Sequence, residues 1–181
     1  MSTPYHHVTP VPFPSESAIA NVYATTHLVD AYSIELPPGA SNNAEVLARF
    51  MFANQAPWIG GLMAVRDTLV AGFGLKTARH LASLEAHSGP GRLGIFKVYS
   101  TSPTEIVLGE DDHHLNFRLS VLCSGQSSPQ AKRHVTLSTV VHCNNRLGRL
   151  YIRFIAPFHR LVVQSNLRTA AQAGWPLATK A

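Results

Sequence analysis

The residues best suited to chemistry in this chain are four consecutive side chains, Asp111, Asp112, His113 and His114. Two imidazoles and a carboxylate that converge can bind a transition metal, and an imidazole also serves as a general acid–base near neutral pH. If the flanking strands pair as a hairpin about Ser128, His114 lies opposite His142 on the same face. Glu-Asp-Asp is also an ordinary turn composition, so we favour a turn that leads into a strand, and we predict no metal site.

A second candidate acid–base is His159, which follows Pro157 and Phe158 near the middle of a long basic and aromatic segment. A lone histidine on an amphipathic helix is more often structural, here hydrogen-bonded to a backbone carbonyl that Pro157 frees. No Gly-x-Ser-x-Gly, P-loop or Cys-x-x-Cys accompanies it. Whether the protein is an enzyme stays open, with His159 and His114 as the catalytic candidates.

Two arginines could anchor a ligand. Arg66 lies in an apolar helix edge, where a guanidinium can grip a carboxylate or phosphate, or can simply extend to water or pair with a nearby carboxylate. Arg118 lies in mid-strand with Asn116 and Ser120 on its face, and this set would orient a ligand if that face were concave. The apolar residues of this strand, which alternate with Arg118, are better suited to the helix-covered side of the sheet. We therefore expect Arg118 to face solvent.

The aromatic residues Trp58, Tyr151 and Phe154 could line a cavity or fill the core, because both roles give the same periodicity. Cys123 and Cys143 lie on the same faces of their strands as the core residues do. We predict two free structural thiols at opposite ends of one hairpin, about 30 Å apart and beyond disulfide reach.

The composition indicates a single compact domain with a large core or an apolar cavity. The chain has 181 residues, of which 45% are hydrophobic and only 14% charged. The net charge is +5, yet the arginines are interleaved with aromatic residues instead of forming a dense patch, so nucleic-acid binding is not favoured. We find no signal peptide and no apolar stretch of about 18 residues, and we therefore expect a cytoplasmic protein without membrane association or cofactor.

Residues 1–17 hold four prolines and are predicted to form a flexible or extended arm. Residues 18–181 are predicted to form one α+β domain. A strand from Asp30 precedes a helix capped by Asn42, and a second helix begins at Pro57 and ends before Gly72. An antiparallel meander of four strands follows, at Gly94–Ser100, Glu105–Gly109, His114–Ser124 and Lys132–Cys143.

The last element has helical period, with a wide apolar band made of Leu147, Leu150, Tyr151, Phe154, Ile155, Phe158, Leu161 and Val162. Pro157 would kink this helix. Alternatively, Leu150–Ile155 is a last strand and the helix begins at Pro157. The pattern predicts an α+β fold in which a twisted antiparallel sheet packs against a long C-terminal helix, with two short helices after the first strand. It resembles the helix-grip arrangement of the START and Bet v 1-like superfamily, although five or six strands are counted where that fold usually has seven.

A closer resemblance rests on strings at Ala56–Trp58 (APW), Leu62–Val70 (LMAVRDTLV), Val107–Val121 (VLGEDDHHLNFRLSV), Thr139–Tyr151 (TVVHCNNRLGRLY) and Ile155–Val163 (IAPFHRLVV). They are similar to the bacterial domain-of-unknown-function family 2867, over roughly residues 28–170. That family also occurs behind short-chain-dehydrogenase-like domains in longer proteins, and it has no established activity. No Gly-x-Gly-x-x-Gly follows a strand here, so a nicotinamide enzyme is not expected.

Our leading hypothesis is a domain that binds an apolar or aromatic metabolite in a cavity between the sheet and the C-terminal helix. The ligand-binding candidates are Trp58, Arg66, Arg118, Tyr151 and His159. The alternatives are a cyclase, dehydratase or lyase that uses a cavity histidine, and a homodimeric structural or interaction domain that uses a patch such as Trp58 or Trp175.

Overall fold

The computed structural model describes residues 6–71, 91–125 and 132–178, with the helical backbone alone for residues 65–71. Seven antiparallel strands form one sheet in the order β1-β2-β7-β6-β5-β4-β3. They are β1 Thr9–Pro10, β2 Leu28–Glu35, β3 Arg92–Leu93, β4 Phe96–Thr101, β5 Glu105–Asp111, β6 Leu115–Ser124 and β7 His134–Cys143. The predicted α+β class with an antiparallel sheet is confirmed. The two strands that the alternation misses, β1 and β3, have two residues each and are too short to show a period.

Two short helices follow β2, α1 at Ala44–Ala53 and α2 at Pro57–Ala71. The cap of α1 is Asn43 and not the predicted Asn42, since the Asn43 side chain accepts a hydrogen bond from the Val46 N–H at 3.0 Å. The start of α2 at Pro57 is as predicted, because proline lacks only an N–H that the first turn does not use.

The C-terminal element is one continuous helix, α3, at Arg146–Ala173. The alternative of a strand at Leu150–Ile155 is therefore wrong, and Pro157 lies inside the helix. The Asn145 side chain caps α3 by accepting from the Gly148 N–H at 2.9 Å. Within the described residues, no helix combines the length and the apolar character that crossing a lipid bilayer requires.

The β6–β7 register differs from the predicted hairpin by two residues. His142 lies opposite Asn116, and Cys143 lies opposite Leu115. A two-residue shift keeps every side chain on its predicted face, because the strand period is two. Cys123 and Cys143 are accordingly free, buried and at opposite ends of the strand pair, as predicted.

One face of the sheet, here called the helix face, packs against α1 and the C-terminal half of α3. The largest apolar cluster joins both helices to alternate residues of five strands, and its fully buried members include Ile34, Leu47, Leu108, Leu137 and Leu167. Burying a side chain of this size stabilises the fold by roughly 1.5–3 kcal/mol.

The other face, here called the back face, is covered by the N-terminal segment. Ile19 packs with Val107 and Val140, and Phe13 and Tyr23 lie against this cluster. At the edge of the sheet, β1 pairs with β2, and the adjoining Val8 is buried. This segment contacts the domain through the β1–β2 pairing and through Ser17, whose hydroxyl donates to Glu105 at 2.6 Å.

Candidate functional site

The middle of α3 places His159 over β2 and β7 on the helix face. Asp30 on β2 and Thr139 on β7 are paired residues beneath it. The His159 Nε2 atom lies 3.2 Å from the Thr139 hydroxyl oxygen and 3.5 Å from Asp30 Oδ1. A carboxylate, an imidazole and a hydroxyl therefore meet under the helix, and we call this group the Asp30 cluster.

Asp30 is a buried carboxylate with no hydrogen bond in the described part of the structure. Its side chain is 8% exposed, and both oxygens are shielded from solvent. The Arg160 Nε atom approaches Oδ2 only to 3.8 Å. A buried charge costs several kcal/mol unless it is paired and hydrogen-bonded, so Asp30 does not add to stability as arranged here.

The Asp30 cluster lies between two separate apolar clusters. The smaller one joins Ile152 near the start of α3 to Leu28 and Val141, whereas the larger one begins at Val163. Pro157 falls in this interval and leaves the carbonyl of residue 153 without its helical N–H partner. The tight packing of the core is thus interrupted where the polar groups meet.

An aromatic row continues from this point across the helix face. Phe96 contacts Phe52 of α1 at 5.5 Å between ring centroids and Phe117 of β6 at 5.8 Å, with both pairs edge-to-face. All three rings are half-buried, as is Tyr151, which packs with Phe117 against the smaller cluster. These four aromatic rings therefore keep part of their surface accessible on the helix face.

A buried ion pair lies beside the aromatic row, next to Phe117. The guanidinium of Arg92 donates to Glu110 at 2.9 Å and also to the Ile95 carbonyl, and both charged side chains are less than 15% exposed. Glu110 is the cross-strand partner of Phe117. Three strand spacings separate β2, which carries Asp30, from β5, which carries Glu110, a distance of about 14 Å. The helix face thus presents apolar surface with a polar group at each side.

Arg118 does not belong to this site. It lies on the back face, is buried, and donates two hydrogen bonds to Asp111 at 2.8 and 3.1 Å. Its guanidinium stacks 3.6 Å from the centre of the Tyr99 ring and 5.7 Å from that of Tyr23. The predicted solvent exposure is wrong, because Tyr23 and the rest of the N-terminal segment cover this face. Gly109 makes room for the arrangement, since a Cβ there would lie 2.3 Å from the Phe117 carbonyl oxygen.

The charges of this back-face group alter its titration. The hydrogen bond from Arg118 holds the pKa of Asp111 below its ordinary value, against the opposing effect of burial. Burial and the hydrogen bond to Asp111 raise the pKa of Tyr99 to about 12. Each of these two pKa shifts arises in part from a hydrogen bond within the group, as expected for a network that stabilises the fold.

The predicted facing pair of His114 and His142 is wrong. The Nδ1 atom of His114 lies 2.8 Å from the Asn145 amide nitrogen, next to the α3 cap, and a Cβ on Gly148 would lie 2.1 Å from the His114 carbonyl oxygen. His142 is on the back face, where its Nδ1 lies 2.7 Å from the Thr25 carbonyl. In the ranges that the structure describes, no three potential metal ligands come together.

The remaining predicted residues are dispersed. Trp58 lies on α2 and is 47% exposed, and the side chain of Arg66 lies outside the described residues. Trp175 is only 6% exposed, so the predicted exposed patch at Trp175 is wrong. Tyr151 and His159 are the two predicted ligand-binding residues that reach the helix face.

Several residues of this site were missed by the sequence reasoning: Asp30, Thr139, Phe117, Phe96 and the Arg92–Glu110 pair. A signal did exist for Asp30. It has the parity of Tyr32 and Ile34, so a carboxylate stands on an otherwise apolar strand face. Phe96 and Phe117 could not be singled out from the sequence, because they occupy the same positions in the strand pattern as core residues. How much of each ring stays exposed depends on which helix covers it.

The fold defines an α+β domain whose C-terminal helix packs on an antiparallel sheet, with half-buried aromatic residues on the helix face. The chain belongs to the DUF2867 family, proteins of unknown function, whose sequence model matches residues 22–166. Comparison with curated proteins and with solved structures found no match.

Proposed function

We propose that this protein binds an apolar or aromatic small molecule on the helix face, between α1 and α3. The observation that carries the proposal is the half-buried aromatic row of Phe52, Phe96 and Phe117, which has a buried ion pair beside it. Small-molecule sites are concave and mostly apolar, with a few fixed polar groups that set orientation. Tyr151 and His159 supply such groups from α3, and Glu110 and Arg92 supply them from the sheet.

The test uses 1-aminoanthracene, a fluorescent aromatic amine, as the probe. We expect saturable binding to the natively folded protein and displacement by the true ligand from a metabolite collection. Leu115 is half-buried beside Phe117, and the variant Leu115→Trp fills the site with little disturbance of the core. It should weaken binding by about tenfold or more, because a filled site loses its apolar contact area.

The matched control is Leu177→Trp, which adds the same side chain at a position that is 75% exposed. This variant should bind the probe as the unaltered protein does. Equal binding by both variants, or no saturable binding by the unaltered protein, would contradict the proposal. Cooperative urea unfolding of each variant shows that the probe is reporting on the native state.

A second function, acid–base catalysis, is favoured by one specific observation. The Asp30 carboxylate lies 3.5 Å from the His159 imidazole, whose Nδ1 makes no hydrogen bond to any described residue. A carboxylate that orients an imidazole is a common arrangement for moving a proton. We infer that such an enzyme would remove or donate a proton at a carbon next to a carbonyl, as cyclases and lyases do.

This alternative is tested without knowing the substrate. Ketone and keto-acid metabolites are incubated with the protein in deuterated water, and the loss of α-proton signals is followed by NMR. Catalysis predicts exchange that the variant His159→Gln abolishes while probe binding persists. Exchange that is unchanged in His159→Gln would refute catalysis by this residue and leave the binding function standing.

A further inference from the structure

The exposed side of α3 carries two parallel rows of side chains. Four large apolar residues, between 49% and 67% exposed, form one row: Leu150, Phe154, Phe158 and Leu161. At 100° per residue they occupy an arc of about 80° on the helix. Four arginines occupy the neighbouring arc of about 60°: Arg146, Arg149, Arg153 and Arg160. We call these the apolar row and the arginine row.

The apolar row was expected to face the sheet and does not. α3 buries its opposite side, with Ile152, Val163 and Leu167. Single exposed apolar residues are ordinary in proteins, but a contiguous row marks an interaction surface. This surface is separate from the helix face, so it does not depend on the proposed ligand site.

The charge of α3 says what kind of partner fits. The helix contains five arginines and no acidic residue. Among the residues that the structure describes, Arg146, Arg149 and Arg153 take part in no ion pair, and Arg160 forms one, with Asp30 at 3.8 Å. A second copy that docked through the same rows would place arginine against arginine, at a considerable cost in repulsion. A partner with carboxylates beside its own apolar row would complement both rows.

The shape of the surface favours a helical partner. From Arg146 to Leu161 the rows run about 22 Å along the helix axis, which suits an elongated element of four turns. A helix that lies on a lipid surface has a charged or polar face opposite its apolar face, whereas the side of α3 opposite its apolar row is apolar and buried, with Ile152, Val163 and Leu167. We propose that this surface of α3 binds an acidic amphipathic helix from another protein.

The experiment measures fluorescence anisotropy of a labelled synthetic helix of 18 residues with a leucine row beside a glutamate row. We expect it to bind the full-length protein. The double variant Arg149→Glu with Arg153→Glu should weaken binding by about tenfold or more. A lysine-row version of the peptide should then bind this variant better than the glutamate version does. Phe154→Ser with Phe158→Ser should weaken binding of the glutamate peptide to a similar extent, by about tenfold.

Matched controls are Leu177→Ser and Arg49→Glu, exposed positions outside the two rows, which should leave binding unchanged. Equal binding of the glutamate and lysine peptides to the unaltered protein would overturn the proposal. Cosedimentation with phosphatidylglycerol vesicles in place of peptide binding would overturn it in favour of a lipid surface. A dimer in sedimentation velocity that Phe154→Ser dissociates would overturn it in favour of self-association.

Discussion

The two faces of the sheet treat a carboxylate in opposite ways. On the back face, Glu105 accepts hydrogen bonds from the hydroxyls of Ser17 at 2.6 Å and Ser120 at 2.5 Å, and from the Ala18 N–H at 3.0 Å. On the helix face, Asp30 accepts none from any described residue. Both residues belong to the same sheet, so the difference lies in what covers each face.

The comparison distinguishes charged groups that stabilise the fold, such as Glu105, from charged groups that do not, such as Asp30. Glu105 and Arg118 tie the N-terminal segment to the sheet, and removing Glu105 leaves the buried hydroxyls of Ser17 and Ser120 without their acceptor. Buried polar groups in native proteins are almost always hydrogen-bonded, so an exception such as Asp30 calls for another explanation. Binding or catalysis on the helix face is that explanation in our proposal.

The largest predicted effect is at Glu105. Glu105→Ala leaves the Ser17 and Ser120 hydroxyls and the Ala18 N–H without their acceptor, and we expect a loss of about 3 kcal/mol in the free energy of unfolding. Urea denaturation measures it. Glu45→Ala, which removes an exposed pair with Arg49, should cost only about 0.3–0.5 kcal/mol. A loss below 1 kcal/mol for Glu105→Ala would contradict the proposed difference between the back face and the helix face.

The next effect is at Arg118. Arg118→Met keeps the stem but removes the two hydrogen bonds to Asp111 and the stacking on Tyr99, and we expect a loss of about 2 kcal/mol. The same denaturation experiment applies, with Arg49→Met as the exposed control. A change no larger than the control would show that the N-terminal segment, not the arginine, holds this face together.

A smaller effect, of opposite sign, is expected at Asp30. Asp30→Asn removes a buried charge that makes no hydrogen bond, so the free energy of unfolding should stay equal or rise by up to about 1 kcal/mol. Binding of 1-aminoanthracene measured on the same samples reports whether the charge serves the site. A loss of more than 1 kcal/mol would mean that Asp30 accepts stabilising hydrogen bonds in solution, and it would remove the difference from Glu105.

The pH dependence of the back face follows from Asp111. Its folded pKa is depressed below 3.8, chiefly by the hydrogen bond from Arg118. The contribution of Asp111 to the free energy of unfolding is therefore present above pH 3.8 and is lost as the pH falls through the lower pKa of the folded state. Since half of the Asp111 side chain is exposed, we expect a small effect. The stability gap between the unaltered protein and Asp111→Asn should narrow on acidification, and a constant gap would contradict the assignment.

The smallest effect concerns the thiol of Cys123. Burial raises its pKa from 9.0 to about 11, so its contribution to stability is present below 9.0 and is lost as pH rises toward 11. At pH 8 the native thiol should react with dithionitrobenzoate far more slowly than after unfolding in urea. Rapid labelling under native conditions would place the thiol in an accessible site and not in the core.

Much of the fold was predictable because local rules and tertiary packing agree there. The alternation in β6 and β7 predicts strands with one apolar face, and proline at position 57 predicts a helix start. The apolar band of α3 is the instructive failure. Its eight members lie within an arc of about 140°, but Ile152, Val163 and Leu167 form a second apolar side of the same helix. The pattern therefore offers two sides that could meet the sheet, and half of the eight members remain exposed.

The sequence alone therefore determined the elements, the α+β class and the buried state of both thiols, since these depend on periods of two and 3.6 residues. Tertiary structure decided which side of α3 meets the sheet, which segment seals the back face, and that Asp30, Thr139 and His159 meet. Such contacts join residues far apart in the chain: Ser17 and Glu105, for example, are 88 positions apart. No local pattern encodes them, because they depend on how several amphipathic elements share one core.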